Sequence, residues 1–176
     1  MEYYHIPIII ITGFLAAFLN TVGGGGSLFT VPILTFLGMP ITNANATNRV
    51  ALLFQNFFAV RGFKSKGVEL PWPYSLYLGL SSLGGGIIGA LLAARVKDEL
   101  FSKIFVVVML LSVLLILFDP FRSSGKETLT FKSQLTGSIL FFFIGIYGGF
   151  VQAGIGFLVI AVLGIVNHMS LVKSNY

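Results

Sequence analysis

Long apolar segments separated by short polar ones are the feature that most limits what this chain can fold into. A bilayer core of about 30 Å needs roughly 20 apolar residues in a helix, and the run over residues 74–94 is that long. Charged residues make up only 10% of the chain, against about 25% in an average soluble domain. So few charges could not cover a soluble protein of this size, whereas lipid removes the requirement. The apolar runs occupy residues 6–22, 27–38, 50–60, 74–94, 104–118, 135–151 and 157–166.

These runs predict an all-α fold, a polytopic bundle of transmembrane helices in a multi-pass integral membrane protein. We expect the protein in the plasma (inner) membrane. The lipid bilayer is therefore an expected partner. The net charge of +5 does not indicate nucleic acid as a partner, because Arg61, Lys64 and Lys66 fall between apolar runs, as basic residues do in cytoplasmic loops. No Lys or Arg precedes Arg49, so we expect the first run to remain as a helix rather than to be cleaved as a signal peptide.

Two of the apolar segments are interrupted by glycines, and their sequences resemble each other. Residues 22–48 read VGGGGSLFTVPILTFLGMPITNANATN, and residues 150–175 read FVQAGIGFLVIAVLGIVNHMSLVKSN. The similarity indicates an internal repeat, or else a chance likeness between two apolar segments. The alignment pairs Gly25 and Ser27 with Gly154 and Gly156, and Thr47-Asn48 with Ser174-Asn175.

The repeat divides the chain into a first transmembrane repeat, residues 1–132, and the start of a second, incomplete repeat, residues 133–176. Within the first repeat three further apolar runs follow Asn48, whereas one residue follows Asn175. We therefore expect a fragment, or a chain that acts as a homo-oligomer or with a second polypeptide that supplies the missing half. Interrupted hydrophobic segments at matching positions in two halves indicate the binding site of a transporter.

The glycine cluster at residues 23–26 predicts a break in the first membrane helix, since each glycine costs about 1 kcal/mol relative to alanine. Non-helical backbone at this depth persists only where it is buried in protein or lines a watery cavity. We predict Ser27 as the N-cap of the short helix that follows. The free N–H groups and positive dipole end of that helix would then form an anion site. Close packing of helices through small residues is the alternative.

Polar side chains follow each break and form a second group of candidate ligands. Amide and hydroxyl donors suit an oxyanion, and Arg49 can offset its charge through a forked pair of hydrogen bonds. In the alternative interpretation, the polar patch of Asn43, Asn45, Thr47 and Asn48 is a helix-capping turn. Arg49 then extends to the headgroup region. The predicted anion-binding residues are Gly24, Gly25, Gly26, Ser27, Asn45, Thr47, Asn48, Arg49, Gln152, Gly154, Ser174 and Asn175.

The remaining glycines and ionisable residues give no sign of catalysis. Gly85 and Gly89, like Gly145 and Gly149, form Gly-x-x-x-Gly pairs, which favour helix packing. The 6 carboxylates fall in predicted loops or at the terminus, so the membrane interior holds no acidic pair. Two distant histidines make no metal site, and we interpret His168 as an interfacial residue or a substrate contact. We therefore predict no enzymatic activity, no metal site and no cofactor.

The first interrupted segment resembles the first signature of the TauE/SafE sulfite-exporter permeases. That signature is a glycine cluster, an apolar half-helix with an embedded Pro, a Gly-x-Pro turn, and Ala-Thr-Asn followed by a basic residue. The stretch GIYGGFVQAGIGF, followed by LVKSN, resembles the second family signature in degraded form. The residues that match the first signature are residues 23–27, Pro32, Gly38, Pro40, Ala46, Thr47, Asn48 and Arg49.

The resemblance implies a permease that exports or imports a small sulfur-containing or organic anion, such as sulfite, sulfoacetate or thiosulfate. It also implies two homologous halves, and the chain departs from that pattern by stopping at Tyr176. We expect the two glycine breaks to face each other and to hold the anion, with Asn48 and Asn175, while the halves rock to alternate access. The alternative is a non-transporting membrane subunit, or a truncated remnant that needs a partner half.

Overall fold

The computed structural model describes residues 5–67, 69, 71–118, 127–170 and 173–174. Within those residues the chain forms seven α-helices and no β-strand, which confirms the predicted all-α membrane bundle. The division into two repeats at residue 132 remains a prediction. The helices are α1 (His5–Gly23), α2 (Ser27–Phe36), α3 (Ile41–Ser65), α4 (Tyr74–Ala93), α5 (Asp98–Phe118), α6 (Phe131–Phe150) and α7 (Ile155–Asn167).

Helix lengths separate continuous spans from broken ones. α4 and α6 have 20 residues each, or about 30 Å at 1.5 Å per residue, which matches the bilayer core. Both are also apolar enough to cross a membrane by themselves. Shorter apolar helices occupy Ile6–Val22, Ser27–Phe36 and Ile155–Asn167. These three adjoin the glycine breaks, as a protein with discontinuous membrane helices requires.

The outer surface of the bundle is apolar. Phe36 is 89% exposed and Phe14 is 73% exposed, and α3 alone displays Leu53, Phe54 and Phe58. A water-soluble monomer rarely exposes such extensive apolar area. Lipid is the solvent that this surface fits, because the helices satisfy their own backbone hydrogen bonds.

Helix α3 departs from the sequence prediction. The sequence predicts a polar connection at residues 42–48 and a basic loop at 61–67, but the structure has one helix from Ile41 to Ser65. Lys and Arg are good helix formers, so Arg61 and Lys64 continue the helix. The polar patch is helical because its side chains find partners on neighbouring helices. Helix α5 also begins earlier than expected, at Asp98, whose charge favours the N-terminal end of a helix.

The chain reverses direction at both glycine breaks. A Cβ atom added to Gly26 would overlap the backbone of Ala16, so α2 turns back beside α1. At the far end of α7, the backbone carbonyl of Asn167 accepts a hydrogen bond from Thr128 N at 2.9 Å. The side-chain amide nitrogen of Asn167 donates to Ser133 Oγ at 3.2 Å. Helix α7 therefore returns to the end of the bundle where α6 begins. Each break is the tip of a helical hairpin.

Helices α4 and α6 are parallel and touch through their glycines. A Cβ atom at any of four of these glycines would overlap backbone atoms of the facing helix, so the glycines allow the two backbones to meet. This confirms the packing role predicted for both Gly-x-x-x-Gly pairs. The contacts join Gly85 to Phe142, Gly89 to Ile146, Gly145 to Ser82 and Gly149 to Gly86.

Two apolar clusters fix the hairpins within the bundle. The first joins α2, α3 and α5 to the second break and is centred on Val31 and Phe101, both fully buried. The second joins α4, α6 and α7 around Tyr74. Its hydroxyl donates a hydrogen bond to Asn167 Oδ1 at 2.9 Å. The hairpin tips are therefore held from both sides by packed side chains.

Candidate functional site

The two hairpin tips meet at a pair of glycines. A Cβ atom on Gly24 would overlap the backbone of Gly156, and one on Gly156 would overlap Gly24. Gly24 also has a φ of +75°, in the left-handed region that only glycine adopts without strain. The two breaks therefore face each other, as the sequence predicts.

The first tip is closed by Asn20 of α1. Its Oδ1 atom accepts a hydrogen bond from Gly26 N at 2.7 Å, and its amide nitrogen donates to Gln55 Oε1 of α3 at 3.2 Å. Gly26 is the N-cap of α2 and Ser27 is the first helical residue. The prediction of Ser27 as the N-cap is therefore wrong, because the helix starts one residue earlier and α1 supplies the acceptor.

Asn48 fastens the start of α2 to α3. Its Oδ1 accepts a hydrogen bond from Thr30 Oγ1 at 2.6 Å, and its Nδ2 donates to Ser27 Oγ at 3.0 Å. The residue is buried. Both ends of the amide are thus used within the protein, and the polar patch does not cap α3, whose N-cap is Pro40 with no side-chain bond.

The second tip carries an unusual backbone. Gln152 has a φ of +65° and Gly154 a φ of +72°, and the left-handed region costs a residue with a Cβ about 1–2 kcal/mol. The Tyr147 hydroxyl donates to the carbonyl of Ala153 and closes the turn. Gln152 Oε1 is buried, with no hydrogen-bond partner among the described residues. A strained residue with a free amide oxygen is a reason to look for function here.

Arg49 and Asn45 reach across from α3 to the end of α6. Arg49 Nη2 donates to the carbonyl of Phe150 at 3.0 Å and to that of Gly149, and Asn45 Nδ2 donates to Phe150 O at 3.2 Å. These carbonyls form the negative end of the α6 dipole. The guanidinium is therefore bound within the protein rather than extended to the headgroup region.

A cavity of about 600 Å³ begins at the hairpin tips, a volume typical of small-molecule sites. It extends from Gly24 and Gly156 to Val60 and Pro71, next to the connection between α3 and α4. The cavity therefore leads from the tips towards one end of the bundle. Its polar lining residues are Asn20, Ser27, Asn56, Ser75, Ser82, Gln152, Lys173 and Ser174.

One cation lies in the lining of this cavity among the described residues, Lys173. Its Nζ atom lies 2.6 Å from Glu127 Oε2, and both side chains are partly exposed. Next to it, Ser174 is only 6% exposed, and its hydroxyl has no partner among the described residues. The cavity thus holds a paired positive charge beside a buried hydroxyl that is free to bind a ligand.

A second cavity, of about 330 Å³, lies at the other end of α3. Its polar lining comes from the start of α3, with Asn45 and Arg49, and its apolar lining from Ala90, Ala93 and Phe101. The larger cavity follows α3 from Leu52 onwards. The two cavities are therefore arranged along α3 towards opposite ends of the bundle.

Comparison with known proteins agrees with this geometry. The chain matches the family described as "Sulfite exporter TauE/SafE" over residues 9–176. The chain belongs to the TauE/SafE family. Among curated relatives, a "Probable membrane transporter protein" of Haemophilus influenzae is 29% identical over 86% of this chain and 59% of its own length.

Two further relatives of the TauE/SafE member carry similar names. The "Probable membrane transporter protein ORF9" of Sinorhizobium sp is 26% identical over 59% of this chain and 40% of its own length. The "Probable membrane transporter protein YfcA" of Escherichia coli K12 is 27% identical over 65% and 42%, respectively. The chain thus spans between two fifths and three fifths of these relatives' lengths. No solved structure matches the chain significantly.

The predicted site residues of this TauE/SafE protein fall into four groups. Those that line the larger cavity are Gly24, Ser27, Gln152 and Ser174. Those that line the smaller cavity are Asn45 and Arg49. Those that serve packing or fastening are Gly25, Gly26, Gly154 and Asn48. Thr47 is exposed, with its hydroxyl 3.7 Å from Met39 Sδ, and Asn175 lies outside the described residues.

Sequence reasoning missed five polar residues of the larger cavity, namely Asn20, Asn56, Ser75, Ser82 and Lys173. Asn20 and Asn56 do carry a signal, because each is an amide inside an otherwise apolar run. Such polar residues in membrane segments mark pathways more often than lipid contacts. Lys173 gave no comparable signal, because it lies in a polar patch at the end of an apolar run.

Proposed function

We propose that this TauE/SafE family member is a membrane permease for a small sulfur-containing or organic oxyanion of the sulfite, sulfoacetate and thiosulfate class. The observation that carries the proposal is the meeting of two hairpin tips at the inner end of a polar cavity. Broken helices that meet in this way form the binding sites of transporters built from repeats. The proposal includes no catalytic step.

The lining of the larger cavity suits an oxyanion. Ser27 and Gly156 lie in the first turns of α2 and α7, so the positive ends of two helix dipoles meet there. Asn20 and Asn56 add amides, and Lys173 adds a positive charge at the wall. Neutral donors with one cation can bind a small anion without trapping it, as a permease requires.

Two cavities that extend towards opposite ends of the bundle support alternating access. The hairpin tips and the end of α6 lie between them. A rocking movement of the α6–α7 hairpin against α3 would open the anion to one cavity at a time. The names of the curated relatives, which are probable membrane transporter proteins, support transport as the function.

The test is uptake of radiolabelled sulfite, thiosulfate and sulfoacetate by proteoliposomes that contain the full chain. The informative variant is Lys173→Gln, which removes the charge from the cavity wall. We expect it to raise the KM for the anion about tenfold, the effect of losing one charge-assisted contact. The matched control is Lys66→Gln, which removes the same charge from an exposed position after α3.

Uptake that depends on Lys173 and not on Lys66 would support the permease and its site. Uptake that is equal in both variants would contradict the role of the larger cavity. If none of the three anions is taken up, the chain alone is not a permease for this class. The alternative, a non-transporting subunit that needs a partner half, would then be preferred.

A further inference from the structure

A short backbone segment, residues 149–152, separates the two cavities. Gln152 borders the larger cavity. The carbonyls of Gly149 and Phe150, at the other end of the segment, are bound by Arg49 and Asn45, which line the smaller cavity. The segment therefore lies between residues that line the larger cavity and residues that line the smaller one.

The bonds that hold the segment leave polar atoms free on both of its sides. Arg49 uses one nitrogen, Nη2, for both carbonyls, although a guanidinium has five N–H donors. Its Nε atom and Asn45 Oδ1 are buried, with no partner among the described residues. Gln152 Oε1 is in the same state on the side of the larger cavity. Buried polar atoms without partners are rare. Of the three, only Arg49 Nε is a donor that an oxyanion can use, because the two amide oxygens accept hydrogen bonds and repel an anion.

We propose that the smaller cavity is a second anion-binding site built on Arg49, and that residues 149–152 are a gate that Arg49 holds closed. The anion class is that of the proposed permease, on which this inference rests. When an oxyanion enters the smaller cavity, it accepts hydrogen bonds from the guanidinium in place of the α6 carbonyls. The segment is then released, and the α6–α7 hairpin is free to move.

The electrostatics explain why binding and release are coupled. In the closed arrangement the anion would lie close to the negative end of the α6 dipole, which repels it. Movement of the carbonyls away from Arg49 removes that repulsion and frees the donors that the anion needs. The anion therefore binds the open arrangement more tightly than the closed one, which is the condition for a ligand to shift a conformational equilibrium.

A single thiol can report the state of the gate, because the chain contains no cysteine. Val151 lies inside the gate and is only 1% exposed, so a thiol in Val151→Cys is shielded while the gate is closed. The measurement is the rate of its reaction with N-ethylmaleimide in the full 176-residue chain, with and without sulfoacetate. Sulfoacetate suits this assay because its sulfonate does not consume maleimide.

We expect sulfoacetate to speed the labelling of Val151→Cys about tenfold, the population shift that one charge-assisted contact can produce. With Arg49→Gln added, labelling should be fast without the anion and no longer respond to it. Arg49→Lys keeps the charge but not the fork, so its response should be reduced. The matched control adds Arg61→Gln to Val151→Cys, which removes the same charge from an exposed position on the same helix. It should respond to sulfoacetate like Val151→Cys alone.

The gate proposal is overturned if sulfoacetate does not change the labelling rate of Val151→Cys. It is also overturned if Arg49→Gln changes neither that rate nor its response to sulfoacetate. Should Arg49→Gln fail to fold, Arg49→Lys decides, and an unreduced response contradicts the proposal. Uptake measured with the same variants separates the two hypotheses. Uptake that is independent of Arg49 would contradict the gate proposal and still support the permease. Labelling that responds to sulfoacetate without any uptake would support the gate and contradict the permease.

Discussion

Gly24 shows how much of the site depends on single residues. Its left-handed φ excludes most side chains, and its contact with Gly156 excludes all of them. Gln152 is the opposite case, a long side chain in the same region of φ, at the wall of the larger cavity. The first residue is small because two backbones meet, and the second is strained beside a cavity that we assign to the anion.

Alanine substitutions at two left-handed glycines separate backbone strain from the contact between the tips. Gly24→Ala should lose about 1–2 kcal/mol of stability to the backbone and about 1–3 kcal/mol more to overlap with Gly156. Gly67 has nearly the same φ as Gly24, +73° against +75°, but a Cβ atom added to Gly67 would meet open space. Gly67→Ala should therefore lose only the first amount. Thermal unfolding of the two purified variants measures the difference, and equal losses would contradict the contact.

Among the elements, the α6–α7 hairpin contributes most to the site. It supplies Gln152 and Gly156 to the larger cavity, and the carbonyls that Arg49 binds. Helix α6 is fixed on one side by its parallel contact with α4, where glycines bring the backbones together. Movement of the hairpin in the proposed mechanism therefore has to occur at the break, or to carry α4 along.

Neighbouring glycines of α4 should respond to alanine with opposite signs. A Cβ atom at Gly85 would lie 2.9 Å from Ile146 N, so Gly85→Ala should destabilise the protein by about 1–3 kcal/mol. At Gly84 the nearest atom is 3.8 Å away, on the Phe142 ring, and alanine is the better helix former, so Gly84→Ala should stabilise by up to about 1 kcal/mol. Unfolding by heat in detergent measures both, and a loss at both positions would contradict the parallel glycine contact.

For the whole molecule, the order of the helices fixes which connections share a face of the membrane. The two ends of a helical hairpin lie on the same side of the membrane. The start of α1 and the end of α2 are therefore on the same face. Helices α3 and α4 then cross in turn. The α3–α4 connection, with its basic residues, is expected inside by the positive-inside rule. The α4–α5 connection is expected outside.

Thiol labelling from one side tests this orientation, again because the chain has no cysteine. A membrane-impermeant maleimide should label Lys97→Cys in right-side-out vesicles and Lys66→Cys in inside-out vesicles. The physical reason is that α4, a 20-residue apolar helix, lies between the two positions. Labelling of both positions from the same side would show that α4 does not cross the membrane.

The sequence by itself determined the class of the protein, the two breaks, the packing role of the Gly-x-x-x-Gly pairs and the family. Each of these follows from local composition or from a short motif. The sequence did not determine the bounds of α3, because a polar helix in a membrane bundle depends on hydrogen-bond partners elsewhere in the chain.

Only the tertiary structure decided what each polar side chain does. Asn48 and Asn20 are both amides near the first break, yet Asn48 fastens α2 to α3 while Asn20 closes the tip and also lines the cavity. Arg49 binds carbonyls about a hundred residues away in the sequence. A hydrogen bond depends on the position of both partners, and here the partners meet only when the two hairpins pack together.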